Sequence, residues 1–241
     1  MNIIKWCAIG ACVLFTTLLA GCLFSSIPIK KYYLLNYVPS ANRERISPSA
    51  YPCAVRLREF AIEDAYNRPQ IVFRQSPFEL RYYYYRVWAV KPARMITDLV
   101  YKHLLSANVF STIVRRFDEG AMPDYELTGV IEAIDEYDSE ELWFAHIALR
   151  LTLRRMSDGI IMYTRRFDLR KRVFEHKPEN VIREMSSLME FIMTQAVRDL
   201  DVRLSKEYGA PLPAAPDAAP SDSAGALEPE LSDQDTTEEV R

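Results

Sequence analysis

Few side chains in this sequence combine the type and the spacing that chemistry needs. The clearest is the thiol of Cys22, which follows Leu18-Leu19-Ala20-Gly21. The small residues ahead of it leave the backbone open to close approach by an enzyme. The three histidines, His103, His146 and His176, lie far apart and lack metal-ligand spacing to cysteine or acid partners. The acidic run from Asp135 through Glu136, Tyr137, Asp138, Ser139 and Glu140 to Glu141 lacks the glycine and the oxygen register of a calcium loop. It reads instead as a solvated hairpin loop. There is no Gly-x-Ser-x-Gly elbow, and a chain with seven glycines in all shows no glycine-rich phosphate loop. The expectation is a protein with no catalytic residue, no metal ligand and no cofactor. An exported hydrolase, with a site that only the fold assembles, is the competing enzyme reading.

Two patterns could bind rather than react. The run Tyr82-Tyr83-Tyr84-Tyr85 with Trp88 close behind reads either as a half-buried strand or as a surface that grips a partner or lipid. Trp88 falls between that strand and a proline-started helix, an element boundary expected to hold it at or near the surface. Tyr83, Tyr85 and Trp88 are therefore candidate contacts. The second pattern is a set of arginines, Arg150, Arg154, Arg166 and Arg170, whose register is derived below.

The segment that positions Cys22 has the form of a secretory signal. Lys5 supplies the positive start, and Ile9 to Leu19 is almost wholly apolar. Leu-Ala-Gly-Cys resembles a bacterial lipobox, which makes residues 1–21 a lipoprotein signal peptide and Cys22 the lipidated first residue of the mature chain. The alternative, a transmembrane anchor, needs about 20 apolar residues, more than this core supplies. Residues 22–29 then form the anchor and a short linker. Seven extended residues reach at most about 25 Å, so the domain sits close to the lipid. Leu23, rather than aspartate, follows the cysteine, which by enterobacteria-like sorting points to the inner leaflet of the outer membrane. Cys7 and Cys12 leave with the signal, so Cys53 is a lone thiol with no disulfide partner and is expected to be buried.

One domain of about 180 residues, 30–208, remains, with an acidic tail at 209–241. The whole chain has a formal net charge of −3, yet the tail alone carries eight acids against Arg241. The domain is thus mildly basic, which suits a position near anionic lipid. The tail is rich in Pro, Ala, Ser, Asp and Glu without apolar period, and reads as disordered.

Within the domain, strand signals run over Lys30–Tyr37, Ala54–Phe60, Ile71–Arg74, Glu79–Val87, Thr112–Arg116, Tyr125–Asp135, Leu142–Arg155 and Ile160 to about Val173. Pro92 opens a helix ending near Asn108, with Ile96, Leu99, Val100 and Leu104 on one stripe. After Pro178, Val181, Met185, Leu188, Ile192, Ala196, Leu200 and Leu204 mark a helix of about seven turns whose apolar face should lie across the sheet. Gly209 and Pro211 end it. The expected class is α+β, a mostly antiparallel sheet with two main helices packed on it, in one periplasmic domain.

The turn at Ser157-Asp158-Gly159 sets the register of the last hairpin. Trp143, Ala145, Ile147, Leu149, Leu151 and Leu153 are odd-numbered, as are Tyr163, Phe167 and Leu169 on the return strand. A two-residue loop would pair odd with even and split the apolar set. A three-residue loop with a left-handed Gly159 keeps it together. The even face then carries Arg150, Thr152, Arg154, Thr164, Arg166, Asp168 and Arg170. It is either a solvated sheet face or a site for anionic lipid or an acidic partner; export excludes nucleic acid.

Three segments in order carry a resemblance. They are Lys31-Tyr32-Tyr33-Leu34-Leu35, Asn67-Arg68-Pro69-Gln70-Ile71-Val72-Phe73-Arg74, and Trp88-Ala89 followed by Leu104-Leu105-Ser106-Ala107-Asn108-Val109-Phe110. Together, after a lipobox, they resemble the ABC-type transport auxiliary lipoprotein family over about residues 30–206. The sequence departs from the family at Tyr85-Arg86-Val87 and in its acidic tail. The resemblance implies an α+β fold without enzymatic activity. It also implies partners: an ABC permease and ATPase, an MCE-domain protein, and phospholipid. A structural lipoprotein of an outer-membrane complex is the alternative function. Cargo, direction and self-association into a homo-oligomer stay open.

Overall fold

The computed structural model describes residues 28–39, 51–115, 122–139 and 142–209. The signal segment, Cys22 and the acidic tail beyond Gly209 lie outside the described residues.

The strands, in chain order, are β1 (Lys31–Tyr33), β2 (Tyr51–Leu57), β3 (Ala61–Ile62), β4 (Gln70–Ser76), β5 (Glu79–Trp88), β6 (Phe110–Val114), β7 (Tyr125–Asp138), β8 (Trp143–Arg155) and β9 (Ile161–Val173). Helix α1 (Pro92–Ala107) follows β5, and α2 (Pro178–Tyr208) follows β9. The result is an α+β fold with one nine-stranded, mostly antiparallel sheet.

Strand β7 is the spine. One edge pairs antiparallel with β8 over nearly its full length. The other edge is shared by three strands, all parallel to it: β2 at Tyr125–Leu127, β3 at Val130–Ile131 and β4 at Asp135–Tyr137. The long pairings β4–β5, β7–β8 and β8–β9 are antiparallel; the parallel ones, including β1 on β5 and β2 on β6, are short. Gly129 on β7 marks a close approach, because a Cβ there would lie 2.5 Å from the Phe60 ring.

Both helices begin with proline in the first turn, where a missing N–H costs nothing. Asn108 closes α1 in the left-handed region at φ 51°, with its N–H on the Leu105 carbonyl. The apolar stripe expected for α2 is buried at every position, from Val181 to Leu204. It packs on β8 and β9 against Leu149, Leu151, Leu153, Tyr163 and Phe167. Among the described residues no helix is long and apolar enough to cross a membrane.

The hairpin parity is as the sequence implies. Leu149 lies opposite Phe167, Leu153 opposite Tyr163, and Arg150 opposite Arg166. Gly159 is left-handed at φ 74°. The loop itself is longer than expected. Arg155 N–H bonds the Ile160 carbonyl at 2.9 Å, leaving four residues between them, and a register shift beside Leu153 restores the odd-to-odd pairing.

Three expectations need correction. The first strand is short: after Tyr33 the chain stays extended but bonds to side chains, Leu35 N–H to Met95 Sδ at 3.3 Å and Asn36 N–H to Ser186 Oγ at 3.2 Å. That seals it against both helices rather than into the sheet. Asp135 to Asp138 form no solvated loop. They continue β7, with Asp135 and Glu136 both almost fully buried. Trp88 is not at the surface. It is 4% exposed and part of the core, because β1 and the chain before β4 cover it: its N–H bonds the Pro69 carbonyl at 2.6 Å and its neighbour Ala89 bonds Tyr33.

Candidate functional site

The helices cover the odd face of β8 and β9, so the even face carries the predicted arginines outward. Arg150, Arg154, Arg166 and Arg170 are all exposed. Arg150 and Arg166 are direct cross-strand partners, an arrangement that repels unless something lies between them. Glu132 does. Its Oε1 accepts from Arg150 Nε at 2.9 Å and Nη2 at 2.6 Å, and its Oε2 accepts from Arg166 Nε at 2.5 Å. Partial burial raises the Glu132 pKa, but the two guanidiniums outweigh it and hold the carboxyl below its ordinary range. Arg166 also donates to Asp168 at 2.8 Å. Arg170 lies 4.9 Å from the Tyr137 ring centroid, and Arg154 sits across the ladder from Glu126. The face is therefore neutralised at Arg150 and Arg166 rather than being an open cationic field.

Glu132 occupies this place because β7 bulges there: Ile131 pairs with Leu149, and Ala133 already pairs with Ala148. Beyond the bulge, odd positions of β7 share the outer face with even positions of β8. Asp135 is thereby aimed at His146. The His146 ring bridges two carboxylates, Nδ1 to Asp135 Oδ1 at 2.8 Å and Nε2 to Asp168 Oδ1 at 3.0 Å. Asp135 Oδ2 accepts from Tyr66 Oη at 2.8 Å and from Arg74 Nε at 2.7 Å, and Arg74 also contacts the Tyr66 hydroxyl. Burial pushes the Asp135 carboxyl up, but its bonds from His146, Arg74 and Tyr66 prevail and hold it below the usual carboxylate range. The Tyr66 hydroxyl is pushed the other way, by burial and by the Asp135 charge.

The neighbouring carboxylate, Glu136, points to the opposite face. It accepts from Tyr83 Oη at 3.1 Å and lies 2.5 Å from His176 Nε2. His176 in turn stacks on Trp143 at a centroid distance of 4.5 Å. Tyr83 stacks on Phe73 at 4.6 Å under the Arg86 guanidinium, so this candidate contact is half-buried and tied inward. Burial, then the Glu136 charge, raises its hydroxyl pKa. Tyr85 is 46% exposed and Tyr84 85% exposed. An open groove of about 410 Å³ lies beside them, lined by Arg68, Phe73, Tyr82 and Tyr83 among others.

The fold keeps the aromatic and basic candidates apart. Strand β5 is separated from β8 by β4 and β7, which at about 4.8 Å per strand is roughly 14 Å. What it does bring together are residues that sequence reasoning missed: Asp135, His146, Asp168, Tyr66 and Arg74. Their positions in the chain give no local signal, since a bulge and a crossover decide the meeting. Their oxygens face different nitrogens of one imidazole, and among the described residues no group of three His, Cys, Asp or Glu side chains could hold a metal ion. The arrangement ties β4, β7, β8 and β9 together with charge-assisted bonds. Cys53 is buried, and burial pushes its thiol up to about 12, so it stays protonated.

These features define an α+β domain with helices on one face of its sheet and an ion-paired surface on the other. The family model of the ABC-type transport auxiliary lipoprotein component matches residues 33–197, from β1 into α2. The chain belongs to that family, and as a lipoprotein of it is membrane-anchored. No curated protein matches the sequence. Among solved structures, a protein from Xanthomonas campestris is 18% identical, with 73% of this chain and 98% of that one covered and a TM-score of 0.61. A second solved protein, uncharacterised, is 13% identical over 71% of this chain and 99% of its own, with a TM-score of 0.56.

Proposed function

We propose that this chain is a non-catalytic auxiliary lipoprotein of an ABC/MCE-type intermembrane lipid transport system. Cys22 carries the lipid, and the domain faces the periplasm from the inner leaflet of the outer membrane. Its partners are the MCE-domain protein and the ABC permease and ATPase, with phospholipid as a further partner. The observation that supports the reading most is the family match over Tyr33 to Val197, from β1 into α2. The geometry agrees with a binding role: the outward face of the β8–β9 hairpin offers charged side chains held in place by one another, which suits recognition of a patterned surface.

The test is a pull-down from detergent-solubilised membranes. Arg154→Glu combined with Arg170→Glu is the informative variant, because Arg150 and Arg166 hold Glu132 and their reversal would also disturb the sheet. Wild type should retrieve permease, ATPase and MCE subunits, and the double variant should retrieve clearly less, most of all at low salt. Equal recovery by both removes this face from the interface. Recovery of outer-membrane components without transporter subunits favours a structural assembly lipoprotein instead. Separately, Cys22→Ser should abolish incorporation of labelled fatty acid; continued labelling would place the anchor elsewhere.

A further inference from the structure

One end of the sheet combines three features that the transport reading leaves unused. Strand β1 is parallel to β5, with Lys31 opposite Arg86. The chain therefore enters β1 from the side on which β5 begins, the tip of the β4–β5 hairpin. Because β4 is parallel to β7, with Arg74 opposite Tyr137, that tip lies level with the C-terminal end of β7. It is thus level with the end of β9 also, where Val173 lies opposite Trp143. At this end stand two phenylalanines with almost no cover: Phe78 is 98% exposed and Phe174 is 85% exposed. Ile29 is 86% exposed just before β1, and Tyr84 is 85% exposed along β5.

The tether selects what these side chains meet. The nine residues from Cys22 to Lys31 span at most about 30 Å when extended. From Arg86 to the hairpin tip, eight residues of strand cover roughly 26 Å. A lipid on Cys22 can therefore lie level with Phe78. Exposed apolar side chains also occur at the opposite end, with Met122 at 84% and Ile160 at 53%, but the chain enters β1 from the tip side. At the tip end Arg81 is 2.6 Å from Glu79 and Lys177 is 2.7 Å from Glu175, so these exposed cations are already matched, while Arg172 lies 5.4 Å from the Phe174 ring centroid.

We propose that this end of the sheet is a second membrane contact, in which Phe78 and Phe174 enter the headgroup boundary of the bilayer that holds Cys22 and orient the domain upright on it. The contact is apolar and takes any phospholipid surface, anionic or zwitterionic. It rests on Cys22 as the anchor. The occupant is a lipid surface and not a partner strand, since the exposed phenylalanines stand at strand ends and not along a pairing edge.

The experiment uses the full, lipidated chain in phosphatidylcholine vesicles whose acyl chains are brominated near the headgroup. F78W places an indole at the tip, and S157W places one in the turn at the far end; Trp88 and Trp143 are common to both. The F78W indole should be quenched about threefold more than the S157W indole, and raising salt to about 0.5 M should leave the ratio unchanged. In the F78W background, F174S should reduce the quenching, with far-ultraviolet circular dichroism unchanged because the ring is solvent-exposed. Equal quenching at both ends, with protein still floating with the vesicles, overturns the contact and leaves the anchor intact. Protein that does not float overturns both.

Discussion

The two sides of the sheet bury histidine in opposite ways. On the helix side, His103 of α1 is fully buried with the Tyr37 hydroxyl at 3.1 Å, and burial pushes its pKa down to about 4. On the other side, His146 is 6% exposed and lies between Asp135 and Asp168. Similar burial therefore says little about how an imidazole serves a fold. What matters is whether carboxylates flank the ring, as Asp135 and Asp168 flank His146, or a phenol does, as Tyr37 does at His103. Around His103 the helix side tolerates a neutral ring. The outer side is a polar network that needs its charges complete.

The largest effect expected from this contrast comes from Asp135→Ala. It removes the acceptor shared by His146, Tyr66 and Arg74 and leaves the Arg74 guanidinium and the Tyr66 hydroxyl without their partner, so unfolding in urea should show a loss of about 3–5 kcal/mol. A loss under about 1 kcal/mol would mean that water replaces the carboxylate and that the outer side is no true interior.

The His103 effect is next. Its folded pKa of about 4 lies below the unfolded 6.5, so in that window the unfolded chain binds a proton that the folded chain does not. Stability thus rises with pH between those values, and is lost as the pH falls from about 6.5 to 4, by about 3 kcal/mol at most. Asp135 and Asp168 act in a lower window. Their folded pKa values lie below 3.8, so their contribution is whole above that value and disappears under it. Urea titrations at several pH values should show the first slope in wild type and lose it in His103→Gln. A slope that survives the substitution would transfer it to another group.

Gly129→Ala probes the packing of the same core without charge. The added methyl meets the Phe60 ring, and overpacking of this kind costs about 1–3 kcal/mol. Phe60→Leu in the same chain should recover part of that loss; if the two changes simply add, the contact is not the cause.

The smallest effect belongs to the rim of the network. Arg166→Ala removes exposed pairs with Glu132 and Asp168 and should leave the midpoint of urea unfolding nearly unchanged. A marked drop would make the outer network continuous from Glu132 to Asp135.

Much of the architecture was legible in residue order because it depends on local period. Pro92 and Asn108 bound α1, and the stripe from Val181 to Leu204 marks the buried side of α2. Parity in β8 and β9 follows from keeping Leu149 with Phe167, whatever the exact loop. Cys22 and the segments around Tyr33, Arg74 and Val109 carried the family resemblance, though Cys22 itself lies outside the described residues. The tertiary structure decided the rest. One extra residue at Glu132 reverses which side chains of β7 face outward, and no propensity reveals where a bulge falls. Acids at 135 and 136 look like a loop until β4 and β8 flank them and supply donors from 61 residues upstream and 11 downstream. Trp88 looks like a boundary residue until β1 closes over it. Arg150 and Arg166 look like free cations until Glu132 lies between them. In each case local pattern sets an element and its faces, while the partners that bury or neutralise a side chain come from distant strands, which only the completed sheet brings into contact.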